Sequence, residues 1–243
     1  MPVSSNVANF TDQILVIPER PDLERDLVAA AWRSGGGEVL PLGRFWDPPA
    51  LDRSKIRLYG NDAFCLVLAQ KFQLHLISPS DDLLVHVDKI WLKREVQLLT
   101  LAQATAAQFP RFIKPLVPKV FKAAVYHSDA ELLEECKGLQ SDTPVIVSEV
   151  AHITAEVRAF ILDGVAQTCA LYEGIGSHKE AEAFVSEFIG ANTLPKTCVI
   201  DVGHIDGRGW ALIEANATWG AGLNGCDPQG AAMCISHATA LEA

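Results

Sequence analysis

Cys198-Val-Ile-Asp-Val-Gly-His-Ile-Asp-Gly-Arg-Gly-Trp-Ala-Leu-Ile-Glu-Ala-Asn216 reads as two apolar strands joined by a turn at Asp206-Gly207. Asp-Gly between apolar runs is a strong hairpin signal. With Ile205 and Arg208 flanking a two-residue turn, antiparallel register sets Asp201 opposite Leu212, and Glu214 and Asn216 follow at steps of two. Alternation along a strand then puts Asp201, Glu214 and Asn216 on one face. Two carboxylates ~4 Å apart repel by roughly 4 kcal/mol at an effective dielectric of about 20, so such a face is costly unless water solvates it or a cation sits on it. Two carboxylates and an amide carbonyl are hard oxygen ligands, the kind Mg²⁺ takes while keeping positions for water and phosphate oxygens.

The residues upstream favour the cation. Val145-Ile-Val-Ser-Glu-Val150 is an apolar strand ending in an acid, Glu156 follows Glu149 by seven residues, and a second strand runs through Val157-Arg-Ala-Phe-Ile-Leu162. Lys114-Pro115 closes an earlier strand. A strand lysine, a linker strand ending in an acid, a second acid, an Asp strand and a Glu-x-Asn strand, in this order, resemble the ATP-grasp family. The likeness is to small bacterial and phage-type members, which carry Glu-x-Arg-x-Phe (here Glu156, Arg158, Phe160) and Glu-x-Asn-x-x-x-Gly-x-Gly (here Glu214, Asn216, Gly220, Gly222). It covers residues 83–228, and the N-terminal part fits loosely.

The resemblance implies an ATP and Mg²⁺ site. Lys114 would meet the α- and β-phosphates, which need charge-assisted partners. Adenine would lie against the hinge, on backbone groups near Glu149 and His152. Glu156 would accept the ribose hydroxyls, and Asp201, Glu214 and Asn216 would hold the metal. The family places a flexible glycine-rich loop where this chain has Pro118-Lys-Val-Phe-Lys122; Lys119 and Lys122 would supply charge there instead. Many relatives carry an arginine two residues before the first metal-binding aspartate, a place held here by Val199. Arg158, on the same strand face as Glu156, would supply the missing charge to the γ-phosphate or an acyl-phosphate, which makes Arg158 and Lys122 the catalytic candidates. The alternative for Arg158 is a surface pair with Glu156 or Glu173. The loop after Asn216 has glycines at 220, 222 and 225, which let backbone approach a ligand. Trp219 and Asn224 either select the acceptor or, for Trp219, pack the core.

The implied activity is that of a carboxylate–amine ligase working through an acyl-phosphate on an amino acid, peptide or protein. Two rivals stand beside it: an ATP-grasp kinase that stops at phosphorylation, and a non-catalytic nucleotide-binding or interaction module. The absent glycine loop and Val199 favour the last. The retained Asp201, Glu214 and Asn216 oppose it.

At 243 residues there is volume for a sizeable core. The formal charge of −10 argues against a general nucleic-acid binder, which needs a basic stripe. Six cysteines at 65, 136, 169, 198, 226 and 234 form no C-x-x-C pair and read as free buried thiols of a cytoplasmic protein. Met1-Pro-Val-Ser-Ser-Asn6 has neither a basic nor an apolar leader region, and no apolar run reaches the ~20 residues of a membrane span. Oligomeric state, a homodimer included, stays open.

The expected fold class is mixed α/β (α+β): an ATP-grasp fold after a small open parallel α/β domain. Gln13-Ile-Leu-Val-Ile17, a helix capped by Asp22 and stopped at Gly35, and Glu38-Val-Leu-Pro-Leu42 form a βαβ unit. The helix carries Leu23, Leu27 and Ala30 on one face. Ile56-Arg-Leu-Tyr59, a helix from Asp62 and Leu74-His-Leu-Ile77 repeat the rhythm. No G-x-G-x-x-G or Walker lysine appears. From Pro79 to Gln108 the pattern reads as mostly helical, with Lys93-Arg94 an exposed basic pair or, for Arg94, a phosphate contact. A closing helix is expected over 230–243. The boundaries are 1–82 for the first domain and 83–243 for the second, itself split into 83–147 and 148–243.

Overall fold

A computed structural model describes residues 9–242. The N-terminal hexapeptide read above for a leader lies outside these residues. In chain order the elements are β1 (Ile14–Pro18), α1 (Leu23–Ser34), β2 (Glu38–Leu42), β3 (Ile56–Leu58), α2 (Asp62–Phe72), β4 (Leu74–Leu76), α3 (Leu83–His86) and α4 (Lys89–Leu92). There follow β5 (Val96–Thr100), α5 (Leu101–Thr105), β6 (Arg111–Pro115), β7 (Ala124–Tyr126), α6 (Asp129–Glu135), β8 (Pro144–Ser148) and β9 (Ile153–Leu162). The chain ends with β10 (Val165–Gly174), α7 (His178–Ala191), β11 (Thr197–Ile205), β12 (Gly209–Asn216), α8 (Pro228–Ile235) and β13 (Thr239–Leu241). No helix among the described residues is long and apolar enough to cross a membrane.

The expected βαβ unit forms the parallel sheet β2-β1-β3, with Ile14 beside both Glu38 and Ile56. Asp22 caps α1 by accepting from the Arg25 amide at 2.9 Å. Glu24 and Asp26 then suit the positive end of the helix. Asp22→Ala should lower stability by about 1 kcal/mol, read as a shift in urea midpoint at unchanged slope. An unchanged midpoint would show that the cap contributes nothing.

The buried face of α1 differs from the one expected. Leu23 and Leu27 are 79% and 46% exposed, whereas Val28, Ala29, Ala31 and Trp32 are buried. Burying Trp32 against Phe10, whose ring stacks on it at 4.2 Å, turns the helix away from its leucines.

Two antiparallel four-stranded sheets make up the rest, ordered β5-β8-β6-β7 and β10-β9-β11-β12. The second is covered on both faces. Along β9, Ala155, Val157, Ala159 and Ile161 face a core with Val185 and Phe188 of α7, while Phe160 and Leu162 face Trp32 of α1 and Ile235 of α8. Burial on both faces explains why these strands read as nearly continuous apolar runs.

Three further expectations are corrected. The stretch before residue 108 is not mostly helical: Val96–Thr100 is an edge strand paired along its length with β8. Its leucines mimic helical spacing, but Thr100 caps α5 in a box with Gln103 and marks where helix begins. β4 does not extend the parallel sheet; it pairs antiparallel with β13. The closing helix accordingly stops at Ile235, and the chain returns as a strand.

Lys93-Arg94 is not an exposed helical pair. Arg94 is 8% exposed, and its guanidinium donates to the Leu212 carbonyl at 2.8 Å, the Leu92 carbonyl at 3.0 Å and Ser148 Oγ at 3.2 Å. It ties β8 of one sheet to β12 of the other. Burial pushes its pKa down to about 10, which keeps it charged at neutral pH.

Candidate active site between the two antiparallel sheets

The hairpin that opened the sequence analysis forms, with a different register. Its turn has three residues, so Ile205 pairs with Gly209, and a bulge then makes Ile213 the extra residue. Asp201 therefore sits directly opposite Glu214 and not Leu212. The bulge is what separates the two faces of β12. Without it, Leu212 and Glu214 would share a side; with it, Leu212 enters the core and Glu214 turns to the site.

Asp201 is 2% exposed. Arg158, its neighbour across β9–β11, grips it with two parallel bonds, Nε to Oδ1 at 2.8 Å and Nη2 to Oδ2 at 2.7 Å. A third donor, Nη1, reaches the Gly222 carbonyl at 2.9 Å. Burial raises the Asp201 carboxyl above its ordinary value; Arg158 opposes the rise and Glu214 adds to it. Burial alone would lower the Arg158 guanidinium, but the bond and charge of Asp201 outweigh it and hold it up. Arg158 is thus no surface pair with Glu156 or Glu173.

Asn216 Nδ2 donates to Asp201 Oδ2 at 3.3 Å. From β6 in the other sheet, Lys114 Nζ comes to 3.4 Å from Glu214 Oε1. The structure thus brings Lys114, Arg158, Asp201, Glu214 and Asn216 together. Glu156 joins them along β9, its Oε2 accepting from the hydroxyl of Tyr172.

The hinge residues stand apart from this face. Glu149 is paired with Arg208 of the hairpin turn and accepts from the Glu95 amide at 3.3 Å. The Arg208 bond holds its carboxyl below the usual range. With that side chain engaged, the backbone of the hinge is what a purine would find. His152 is exposed, and its carbonyl accepts from Asp206. Gly203, beside Glu156 on β11, is flanked by apolar side chains: a Cβ there would come 3.0 Å from Ile153 Cγ2 and 3.1 Å from Ile213 Cγ2.

The lysines of the loop between β6 and β7 point elsewhere. Lys119 pairs with Asp62 at the start of α2. Lys122 lines a depression of about 420 Å³ with Glu131, Glu134 and Glu135, none of which belongs to the Asp201 face. Trp219 packs in the core and donates to Ser78 Oγ at 3.0 Å, so it is not aimed at an acceptor.

Three residues of this region carry no motif signal. Glu24 of α1 accepts from the Leu223 and Asn224 amides, both at 2.9 Å. Tyr59 donates to the Ala221 carbonyl at 3.0 Å. Both bonds fix the glycine loop from the N-terminal part of the chain. Tyr172 is the third, and only a bulge in β10 brings it to the site.

The donor set fits a small hard cation. Among the described residues, Glu214 Oε2 and Asn216 Oδ1 have no protein partner, and Asp201 Oδ1 accepts only one bond. A carboxylate oxygen has two lone pairs, so Asp201 can serve Arg158 and a cation together. No three His, Cys, Asp or Glu side chains converge among these residues, so most of the coordination shell would come from water and phosphate.

The chain belongs to the ATP-grasp domain family, within clade family 2, whose model matches residues 91–234. In three dimensions it is similar to an ATP-grasp RimK domain protein from Sphaerobacter thermophilus, at 16% identity over 92% of this chain and 98% of that one, TM-score 0.61. It is also similar to N5-carboxyaminoimidazole synthase from Aspergillus clavatus, at 12% identity over 96% and 78% of the two chains, TM-score 0.59. D-alanine–D-alanine ligase from Bacillus anthracis gives 12% identity over 93% and 97%, TM-score 0.55. No curated protein matches the chain in sequence. At these identities the likeness is one of fold.

Proposed function

We propose that the protein is an ATP- and Mg²⁺-dependent carboxylate–amine ligase acting on an amino acid, peptide or protein. One observation carries the reading: two cations from different strands, Lys114 and Arg158, meet two carboxylates and an amide at the seam of two antiparallel sheets. Packing alone has no need of Glu214 facing Asp201. Family membership supplies the nucleotide.

Adenine enters beside the Glu149–His152 hinge, with Ile153 and Ile213 as apolar contacts, and Glu156 accepts from the ribose. Lys114 leaves Glu214 for the α- and β-phosphates, a short move because both groups already share the site. Mg²⁺ held by Asp201, Glu214 and Asn216 would neutralise charge on the phosphate oxygens. Arg158, fixed by Asp201 and Gly222, presents positive charge to the γ-phosphate. A substrate carboxylate oxygen attacks the γ-phosphorus, the bond to the bridging oxygen breaks, and ADP leaves. The amine nitrogen then attacks the acyl carbon, inorganic phosphate leaves, and the amine loses a proton. Such a site works by positioning and charge neutralisation, so a Ser-His-Asp set is not needed. We assign residues 1–82 to a domain that walls the acceptor side, because Glu24 and Tyr59 hold the loop at 221–224.

The test is ADP release from Mg²⁺-ATP with a panel of carboxylates, amino acids and short peptides, with and without amine. The expected result is ADP formation that requires both partners. Release with the carboxylate alone, accumulation of a stable phosphorylated product and indifference to amine would establish the kinase instead.

A further inference from the structure

β10 departs from regular pairing next to the site. Leu171 pairs with Val157 and Glu173 with Glu156, which leaves Tyr172 as the extra residue of a bulge. Bulges re-aim side chains, and this one turns Tyr172 onto the face that carries Glu156 and Arg158. Its hydroxyl donates to Glu156 Oε2. Its ring lies under Arg158, whose Cζ is 5.8 Å from the ring centroid. One side chain therefore touches both polar residues of β9, and it is itself held by the strand and by the guanidinium.

A free glutamate samples several rotamers and loses that freedom when it binds a ligand. Tyr172 removes the freedom beforehand and occupies one oxygen of Glu156. Oε1 and the remaining lone pair of Oε2 are left for hydroxyl donors. We infer that Tyr172 is a positioning residue that presets the Glu156 carboxylate for the ribose hydroxyls of the nucleotide. The inference rests on the reading of Glu156 as the ribose acceptor.

The test measures binding of Mg²⁺-ATP and Mg²⁺-2′,3′-dideoxy-ATP by titration calorimetry to the wild type, Tyr172→Phe, Glu156→Ala and the double variant. Phenylalanine keeps the ring on Arg158 and deletes only the hydroxyl, so the fold is retained. The wild type should bind ATP more tightly than the dideoxy nucleotide. Tyr172→Phe should weaken ATP by about fivefold to tenfold, the scale of one hydrogen bond to a charged group, and leave the dideoxy nucleotide unchanged. In the Glu156→Ala background the tyrosine change should cost nothing further. A purely structural tyrosine would weaken both nucleotides equally, and that outcome overturns the inference while the ribose reading stands. A wild type that binds both nucleotides equally overturns the ribose reading and the inference with it.

Discussion

Replacing Arg158 by alanine is expected to destabilise the protein by about 3–5 kcal/mol, the cost of leaving one member of a buried ion pair alone. The Asp201 side chain is 3% exposed and the Arg158 side chain 12%. Removing the guanidinium strips Asp201 of two bonds and the Gly222 carbonyl of one, in a place water enters poorly. The companion variant Arg158→Met/Asp201→Leu removes both charges and should lose much less than the sum of the single losses. The pH dependence has a definite sign. The Asp201 carboxyl is already raised above its ordinary value of 3.8 by burial, and loss of Arg158 raises it further. A carboxyl raised in the folded state contributes stability below its unfolded pKa and loses it as pH rises through the folded value. The deficit of Arg158→Ala should therefore be largest at neutral pH and narrow towards pH 4. Urea unfolding at several pH values reads both effects. A deficit under about 1 kcal/mol at pH 7 would mean that water replaces the guanidinium and the pair is not a structural unit.

Because Arg158 joins the fold to the site, the sequence shows it in only one of its two roles. Its spacing from Glu156 is visible in the chain; its grip on Asp201 depends on how β9 and β11 align, and only tertiary structure decides that. The same division runs through the whole molecule. Asp201, Glu214, Asn216 and Lys114 were legible because charge in an apolar strand is conspicuous. The bulge at Ile213 was not, since an inserted isoleucine looks like one more strand residue, yet it decides which side Glu214 faces. Tyr172 was hidden for the same reason on β10. At α1 the stop and cap were legible from Asp22 and Gly35, but its buried face was not. Two leucines outweigh two alanines in any count of apolarity, and only the packing of Trp32 reverses that order. β4 and β13 lie at distant places in the chain and pair only once α8 has returned it. Arg94 reads as a solvated charge until two sheets close around it.

Replacing Glu214 by glutamine separates binding from folding more cleanly than any change at Asp201. The Glu214 side chain is 46% exposed, and its single ion pair, with Lys114, is at 3.4 Å. Such a pair contributes at most about 1 kcal/mol. Against it stands the repulsion between Glu214 and Asp201, which helps to raise the Asp201 carboxyl and which glutamine removes. The variant should therefore unfold within about 1 kcal/mol of the wild type when no nucleotide is present. With Mg²⁺-ATP the two should part company. A ligand at 100 times its Kd stabilises by about 2.7 kcal/mol, or several degrees in a chain of this size, and the wild type should show that gain. Glu214→Gln should lose most of it, because an amide oxygen is a far weaker ligand than a carboxylate for a hard dication beside phosphates. Thermal unfolding of both proteins with ATP, with and without Mg²⁺, reads the outcome directly. Equal stabilisation of both would remove Glu214 from the metal set and leave Asp201 and Asn216 to bind without it. If Mg²⁺-ATP stabilises neither protein, the nucleotide site assigned to Lys114, Glu156 and the β11–β12 face is wrong, and a module without turnover becomes the better account of the chain.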